Sequence, residues 1–243
     1  MTGASGACTA EVAENGRVLF LVLDNPPDNA VTPAMLSELA EGLDALVADG
    51  GPDLAVLTGR GAVFSKGFDV DVVRSHSDED AHRASLAMCN DVVNRLEESP
   101  KPVIAAINGH CLGAGLELAM ACHLRLCAEK ARLGLPELSR GLLPGLGGVP
   151  RLAALVGRAK TLELVALADL IPAEEAHRIG LVNRVMPRDE FMVGVLGFAR
   201  AVLSVDQVLV REVIRLSSPD SLRDRQADVL AAIDRAVRVG NPR

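Results

Sequence analysis

The chain has 243 residues, of which 49% are hydrophobic and 23% are charged, a composition typical of a globular protein rather than a disordered one. Its formal net charge of -7 and its aromatic content of only 2% oppose nucleic-acid binding, which needs positive charge and stacking rings. The same charge opposes binding to an anionic membrane surface, and no segment reaches the roughly 20 apolar residues of a membrane span. The first residues show no basic start followed by an apolar run, so we expect a cytoplasmic protein.

The five cysteines form an odd set without CxxC spacing, which predicts reduced, mostly buried thiols rather than disulfides. Cys122, His123 and Cys127 lie close together in the chain, but their spacing matches no common metal site. We therefore expect no metal.

The amino-terminal part predicts a loose tail, a buried strand and a capped helix. Residues 1–10 are mostly small and polar, and residues 17–23 predict a buried strand because Arg17 is followed by a continuous apolar run. Thr32 followed by Pro33 is a helix-start signal, and the helical pattern runs to about residue 48.

The next part predicts two strands, a loop and a second helix. Residues 54–57 form a strand pattern, and residues 63–69 predict a strand that leads into a turn. The polar residues 75–82 predict a surface loop, and residues 83–98 have apolar residues at helical spacing.

The central stretch has the strongest pattern in the chain. An apolar strand at residues 103–107 leads through Gly113 and Ala114 into a helix that we expect to begin near Leu116. The first amides of a helix have no intrahelical acceptor, so a small-residue turn at this point is typical of an anion site. Glu117 in the first helical turn would place a carboxylate beside that site. The same residues also occur where a turn and a helix end have only structural roles.

After the central helix, the sequence predicts short strands at residues 124–127 and 131–134, a turn at Pro136 and Glu137, and a glycine-rich loop at residues 141–148. We expect helices from near residue 149, at about 158–168 and 172–179, then a strand at 181–185 and two long carboxyl-terminal helices. The order strand, strand, helix recurs, which favours an α/β fold in which repeated units form a spiral.

Several motifs resemble the crotonase (enoyl-CoA hydratase/isomerase) superfamily between Leu21 and about Val185, most closely an enoyl-CoA hydratase. They occur in the family's order and are Asp24-Asn-Pro with Asn29-Ala30, Phe64-Ser-Lys-Gly-Phe-Asp69, Asn108-Gly-His-Cys-Leu-Gly-Ala-Gly-Leu-Glu117, Leu135-Pro-Glu137, and Leu143-Pro-Gly-Leu-Gly-Gly148 with Arg151-Leu152. The resemblance implies a crotonase-like spiral of ββα units at residues 1–190 and a helical oligomerisation region at residues 191–243.

The resemblance implies that the chain binds an acyl-CoA thioester, with no cofactor beyond the CoA of the substrate. It implies an oxyanion hole made of the backbone amides of Phe68 and Ala114, and catalytic carboxyls at Glu117 and Glu137. Losing one such amide donor can cost on the order of 10²–10³ in rate. Nine further residues are implied in substrate and CoA binding: Asn29, Ala30, Lys66, Gly67, Asp69, Val70, Gly109, Gly113 and Gly145.

Both carboxyls are present, which favours hydration of a 2-enoyl thioester over the family's other reactions. Isomerisation between Δ3- and Δ2-enoyl thioesters remains an alternative, as do hydrolysis and decarboxylation through the same enolate, and a non-enzymatic scaffold.

Lys66-Gly67-Phe68 replaces the common Ala-Gly-Ala, which leaves acyl specificity open. Residues 221–238 lack the Phe and Lys that often cover CoA, so an acyl carrier protein is an alternative carrier. The resemblance also implies a homotrimer or a dimer of trimers.

Overall fold

The computed structural model describes residues 8–68 and 79–217. The predicted binding residues Asp69 and Val70 and the predicted helix at residues 221–238 lie outside these ranges. Within them, the chain forms two β-sheets with helices packed around them.

The strands and helices alternate along the chain in pairs of strands followed by a helix. The strands are β1 (Cys8–Ala13), β2 (Val18–Leu23), β3 (Leu54–Gly59), β4 (Val63–Ser65), β5 (Val103–Ile107), β6 (His110–Leu112), β7 (Leu124–Ala128), β8 (Arg132–Gly134), β9 (Ile171–Pro172) and β10 (Arg184–Met186). The α-helices are α1 (Pro33–Val47), α2 (Glu79–Glu97), α3 (Ala114–Ala121), α4 (Gly148–Val156), α5 (Arg158–Leu167), α6 (Ala173–Arg178), α7 (Phe191–Leu203) and α8 (Gln207–Ser217), with 3-10 turns at Pro136–Arg140 and Arg188–Glu190.

The larger sheet has the strand order β1-β2-β3-β5-β7-β10, and the smaller sheet has the order β4-β6-β8-β9. In the larger sheet every neighbouring pair is parallel except β1 with β2. The pairs β3/β4, β5/β6 and β7/β8 each contribute one strand to each sheet. This repetition forms the predicted spiral of ββα units.

The central strands are buried on both faces, which explains why they are continuous apolar runs instead of alternating ones. Every residue of β3 and of β5 is buried. Helix α3 is also buried on all sides, because it lies between the two sheets and the surrounding helices. The helix that holds Glu117 is therefore one of the most enclosed elements of the molecule.

A second apolar cluster covers the outer face of the larger sheet. Helix α7 packs its residues Phe191, Val195 and Ala199 against Val56 and Ile104 of the sheet. The proposed boundary between residues 190 and 191 coincides with the start of this helix.

Most predicted elements are confirmed, and four boundaries are wrong. The strand predicted at residues 181–185 begins only at Arg184 and ends at Met186. The predicted tail ends before Cys8, because residues 8–13 pair with β2 in antiparallel register. The predicted loop at 75–82 is wrong from Glu79 onward, where α2 begins. Helix α3 begins at Ala114, two residues before the predicted start, because the Glu117 amide already donates to the Gly113 carbonyl oxygen at 3.0 Å and closes the first helical turn there.

No single helix among residues 8–68 and 79–217 is both long and apolar enough to cross a membrane. The segments Arg188–Leu203 and Gln207–Ser217 reach the required length and composition only as a pair that is bent by 99°. Over the same residues, no three His, Cys, Asp or Glu side chains form a group able to hold a metal ion.

Candidate active site

The turn before Phe68 is held in place by backbone hydrogen bonds to the loop that follows β2. The Val31 amide donates to the Gly67 carbonyl oxygen at 2.8 Å, and the Lys66 amide donates to the Asp28 carbonyl oxygen at 3.1 Å. Val31 and Phe68 form a parallel bridge. Gly67 has a φ of +98°, a conformation that side-chain-bearing residues rarely adopt. The peptide before Phe68 is therefore fixed from both sides.

Asn29 contributes to this arrangement through its side chain. Its amide nitrogen donates to the carbonyl oxygens of Arg60 at 3.0 Å and Val63 at 2.8 Å, and its side-chain oxygen accepts from the Asn25 amide at 3.2 Å. The residue is only 3% exposed. Asn29 thus supports the loop beside the site through contacts with the chain's own backbone.

The head of α3 lies directly against the Gly67 turn. Gly113 has a φ of +53° and donates its amide to the Gly134 carbonyl oxygen at 2.9 Å, and Ala114 is the first helical residue. A β-carbon built on Gly67 would lie 3.3 Å from the Ala114 nitrogen. The amide of Ala114 has no acceptor inside its own helix. The segments that carry the Phe68 and Ala114 amides are therefore in van der Waals contact, as an oxyanion hole requires.

Glu117 lies in the first turn of α3, and the residue is only 1% exposed. Its Oε1 accepts hydrogen bonds from the amides of Leu146 at 2.8 Å and Gly148 at 2.7 Å. A β-carbon on Gly148 would lie 2.7 Å from the same oxygen. A glycine at position 148 is what allows the turn to approach the carboxylate this closely.

Glu137 approaches from the 3-10 turn that follows β8. A β-carbon on Gly113 would lie 3.0 Å from Glu137 Oε1, so the carboxyl lies beside the head of α3. Its Oε2 is buried and has no hydrogen-bond partner within the described part of the chain. An unpaired buried carboxyl oxygen is costly unless a ligand or water completes its hydrogen bonding. Glu137 is therefore available to a bound substrate.

The surroundings raise the pKa of both carboxyls. Burial raises the pKa of Glu117 to about 7, although the amides of Leu146 and Gly148 and the charge of Arg151 act in the opposite direction. Burial, followed by the charge of Glu117, raises the pKa of Glu137 to about 8. Two interacting carboxyls of this kind titrate as a pair and hold one proton between them near neutral pH. The amide donors favour the ionised form at Glu117, which leaves the proton on Glu137.

Three other predicted binding residues have backbone or surface roles in the structure. The Ala30 carbonyl oxygen accepts from the Asn25 side chain at 2.8 Å. Lys66 Nζ lies 3.2 Å from Asp28 Oδ2 at a half-exposed position. A β-carbon on Gly109 would lie 1.9 Å from the Ala62 carbonyl oxygen, so this glycine permits close packing of the chain.

Gly145 precedes the two amide donors of Glu117. Its carbonyl oxygen accepts from the Asn90 side chain at 2.9 Å, which ties the turn to α2. The structure thus brings Gly67, Phe68, Gly113 and Ala114 together, with Glu117, Glu137 and Gly145 around them, and places Gly109 against a different part of the chain.

Three contributors were not among the predicted site residues: Leu146, Gly148 and Arg151. The first two act through backbone amides, and Arg151 donates to the Leu146 carbonyl oxygen at 2.6 Å. The glycine-rich run at residues 141–148 is the signal in the sequence, because such runs commonly expose amides at a helix start. The sequence does not indicate which carboxylate accepts them.

The chain matches the family model described as enoyl-CoA hydratase/isomerase over residues 13–226. It is 43% identical over 166 residues to a probable enoyl-CoA hydratase of Bacillus subtilis, a match that covers 68% of this chain and 64% of that protein. It is 38% identical to a crotonyl-CoA hydratase of Syntrophomonas wolfei, over 94% of this chain and 85% of that protein. The chain thus spans less than two thirds of the length of the Bacillus subtilis relative.

The fold agrees with these matches. The crystal structure of an enoyl-CoA hydratase from Bacillus anthracis superposes with a TM-score of 0.83 at 30% identity, covering 95% of this chain and 90% of that one. The spiral of ββα units is therefore the fold of enoyl-CoA hydratases. The chain belongs to the enoyl-CoA hydratase/isomerase family.

Proposed function

We propose that the chain catalyses the syn addition of water to a 2-enoyl-CoA thioester. The observation that carries the proposal is the pair of carboxyls of Glu117 and Glu137, which lie close enough to interact, with Glu137 beside the Gly113 turn that precedes the Ala114 amide. Hydration needs one group to accept a proton from water and another to deliver a proton to carbon. The name of the Syntrophomonas wolfei relative supports a CoA thioester as the substrate class.

In the proposed mechanism, the thioester carbonyl oxygen accepts hydrogen bonds from the amides of Phe68 and Ala114. This polarises the conjugated double bond and makes the β-carbon electrophilic. A water molecule attacks the β-carbon while Glu117 takes its proton, and the electron pair of the double bond moves to form an enolate. Glu137 then donates its proton to the α-carbon, which restores the carbonyl. Proton transfer from Glu117 back to Glu137 completes the cycle.

The reaction changes no oxidation state overall, so the proposal includes no cofactor other than the CoA of the substrate. The amides supply the electrostatic stabilisation, and they need no reorganisation because the backbone holds them before the substrate arrives. The half-buried Phe68 ring replaces a smaller residue without removing its amide. We propose that this ring affects acyl selectivity, while the hole itself is preserved.

The test compares two reactions in the wild type and in two single variants, Glu117→Gln and Glu137→Gln. Hydration of crotonyl-CoA is followed by loss of the absorbance of the conjugated thioester, and migration of a 3-enoyl-CoA double bond by its gain. We expect each variant to lose on the order of 10²–10⁴ in hydration turnover. A Glu117→Gln protein that hydrates at nearly the wild-type rate would overturn the proposal.

Isomerisation is the second candidate, and the position of Glu137 favours it. A single acid-base group beside the enolate is sufficient to move a proton between the α- and γ-carbons, and Glu137 lies against Gly113 with a free oxygen. In an isomerase, Glu137→Gln would abolish migration and Glu117→Gln would retain much of it. Wild-type migration without hydration would establish this alternative.

We also propose that the chain assembles as a homotrimer or a dimer of trimers in the cytoplasm. The exposed apolar residues of α8, among them Val208, Leu209 and Val213, support an assembly because water does not favour such a surface.

An acyl carrier protein is the alternative carrier of the thioester. Comparing kcat/KM for crotonyl-CoA and for the same acyl group on a carrier protein separates the two carriers, and fractionation of native cells tests the location.

A further inference from the structure

Arg151 makes hydrogen bonds in two opposite directions from a position that is 3% exposed. Toward the site, its Nη1 donates to the Leu146 carbonyl oxygen at 2.6 Å. Toward α2, its Nε donates to Glu97 Oε2 at 3.0 Å and its Nη2 donates to Asn94 Oδ1 at 2.8 Å. The guanidinium group is therefore a rigid connection between helix α2 and the turn at residues 145–148.

This turn also supplies the two amides that bind Glu117. The Leu146 carbonyl oxygen accepts from Arg151 Nη1, and the Leu146 amide donates to Glu117 Oε1. Gly147, between the two donors, has a φ of +79°, and a β-carbon there would lie 2.4 Å from Arg151 Nη1. The guanidinium group thus packs directly against the backbone that positions the carboxylate.

We propose that Arg151 is a positioning residue for hydration, which holds the 145–148 turn so that its amides keep Glu117 aligned as the base. The inference rests on the proposed function. It assigns Arg151 no contact with the substrate, because its donors are occupied by Leu146, Asn94 and Glu97. Since Glu117 serves hydration and Glu137 alone suffices for migration, losing the connection should affect hydration selectively.

Arg151 also acts on Glu117 through its charge. The charged groups that face Glu117 are Glu137 from the 3-10 turn and Arg151 from α4, with Glu97 of α2 behind Arg151. The positive charge favours ionised Glu117, whereas Glu137 and Glu97 oppose it. Removing the charge should therefore raise the pKa of Glu117 and move the acidic limb of the hydration profile to higher pH.

Two substitutions distinguish the effect of Arg151 on the alignment of Glu117 from the effect of its positive charge. Arg151→Lys retains a positive charge but cannot reach both the Leu146 carbonyl and the α2 acceptors, whereas Arg151→Met loses both functions. We expect Arg151→Lys to lower the kcat for hydration by roughly tenfold or more with little movement of the acidic limb. Arg151→Met should lower the kcat for hydration by about 10²-fold, the cost of a small misplacement of a catalytic group. It should also move the acidic limb of the hydration profile to higher pH. Migration of a 3-enoyl-CoA should change much less in both.

The matched control is Arg125→Met, which removes another buried arginine. Arg125 donates to the backbone carbonyls of Cys122 and Leu181, at the far end of α3 from the site. We expect this variant to lose stability while keeping the wild-type ratio of hydration to migration. If Arg151→Met does not fold, Glu97→Gln takes its place, because it retains volume while weakening the connection to α2, and it should lower the same ratio.

The measurements distinguish failure of this inference from failure of the proposed function. A wild type that does not hydrate any 2-enoyl-CoA overturns the function, but the carboxyl resonance of Glu117 can still be titrated by NMR after ¹³C labelling and assignment with Glu117→Gln. A higher pKa of Glu117 in Arg151→Met than in Arg125→Met supports the effect of the Arg151 charge on Glu117, and a selective loss of hydration relative to migration in Arg151→Lys supports the positioning role. Equal losses of hydration and migration in Arg151→Lys, or an unchanged ratio in all variants, overturn it.

Discussion

At the scale of single residues, the two glutamates differ in what surrounds their oxygens. Glu117 accepts two backbone amides, whereas Glu137 has a buried oxygen without a partner in the described part of the chain. The two amides favour the ionised form of Glu117, whereas the buried position of Glu137 favours its protonated form. The difference comes from the backbone turns around them rather than from the residues themselves.

This arrangement predicts a pH-dependent effect on stability. The raised pKa of Glu137 contributes stability that is present below the unfolded-state pKa of about 4.3 and is lost as pH rises through about 8. Glu137→Gln has no such group to ionise. We therefore expect the melting temperature of the variant, relative to that of the wild type, to increase between pH 5 and pH 9. The corresponding change in relative unfolding free energy is on the order of a few kcal/mol.

Thermal unfolding of both proteins across this pH range is the measurement. Glu174→Gln at an exposed position is the control and should show the same difference at every pH. A difference for Glu137→Gln that is constant with pH would contradict the assignment.

The oxyanion hole gives a second prediction at this scale. Ala114→Pro removes the amide donor at the first helical position, where a proline ring is tolerated best. We expect turnover to fall by roughly 10²-fold or more with the fold retained. Ala114→Gly keeps the amide and should retain most activity, and circular dichroism checks that both variants are folded. An active, folded Ala114→Pro protein would exclude this amide from the hole.

The sequence could indicate these residues only in part. Glu117 is predicted from its place in the first turn of a helix after a small-residue turn, whereas Glu137 is predicted only through the resemblance to the family. The amides of Leu146 and Gly148 could not be assigned, because every residue except proline has a backbone amide and the residue type does not show which amide binds the carboxylate. Arg151 was visible only as part of a motif, since the sequence does not show that a guanidinium group returns to the turn five residues before it.

At the scale of elements, the site depends on turns that are attached to one another rather than to the sheet alone. The loop after β2 holds the Gly67 turn through main-chain hydrogen bonds, and Asn29 extends the contact to the chain between β3 and β4. Asn29 has a φ of +53°, which Asn adopts more readily than most residues.

Replacing Asn29 should therefore loosen the turn that carries Phe68. Asn29→Ala loses three side-chain hydrogen bonds and places an alanine at positive φ, so we expect a loss of roughly 2–4 kcal/mol of unfolding free energy. Asn29→Gly loses the same bonds without the backbone strain and should be about 1 kcal/mol less destabilised. Chemical denaturation measures both, and equal stability of the two variants would argue against strain at this position.

Element boundaries were predicted well where the pattern was long and poorly where it was short. Thr32 accepts from the Met35 amide at 3.1 Å, which confirms the predicted helix start. Strand β1 was missed because only part of it alternates and its pairing with β2 is a tertiary contact. Its first residue is fixed by a hydrogen bond from the Cys8 amide to Glu38 Oε2 at 2.6 Å, which the sequence does not reveal.

At the scale of the whole molecule, α8 has an apolar face that the described residues leave open. Leu209 is 61% and Val213 is 65% exposed, and both line a cavity of about 690 Å³ between α8 and the spiral. The composition predicted a globular protein, but the sequence alone does not show which apolar residues the fold leaves uncovered.

If this face mediates assembly, charge placed on it should separate the subunits. We expect light scattering at micromolar concentration to give a trimer or hexamer for the wild type and a smaller species for Leu209→Asp with Val213→Asp, because burying unpaired carboxylates is unfavourable. Arg215→Ala, which removes an exposed ion pair with Glu212 on the same helix, should leave the mass unchanged. A monomeric wild type would exclude the proposed assembly.

The backbone origin of the oxyanion hole has a consequence for mutational tolerance. In the proposed mechanism Phe68 and Ala114 contribute through their amides, so a library of substitutions should accept many side chains at the partly buried position 68 as long as proline is avoided. Ala114 is 2% exposed and should accept only small residues. Gly113 and Gly148 should tolerate substitution poorly, since a β-carbon at Gly113 would lie 3.0 Å from the Glu137 carboxyl and one at Gly148 would lie 2.7 Å from the Glu117 carboxyl. New substrate preferences should therefore arise readily at position 68, whereas positions 113 and 148 should stay fixed even when the reaction itself changes.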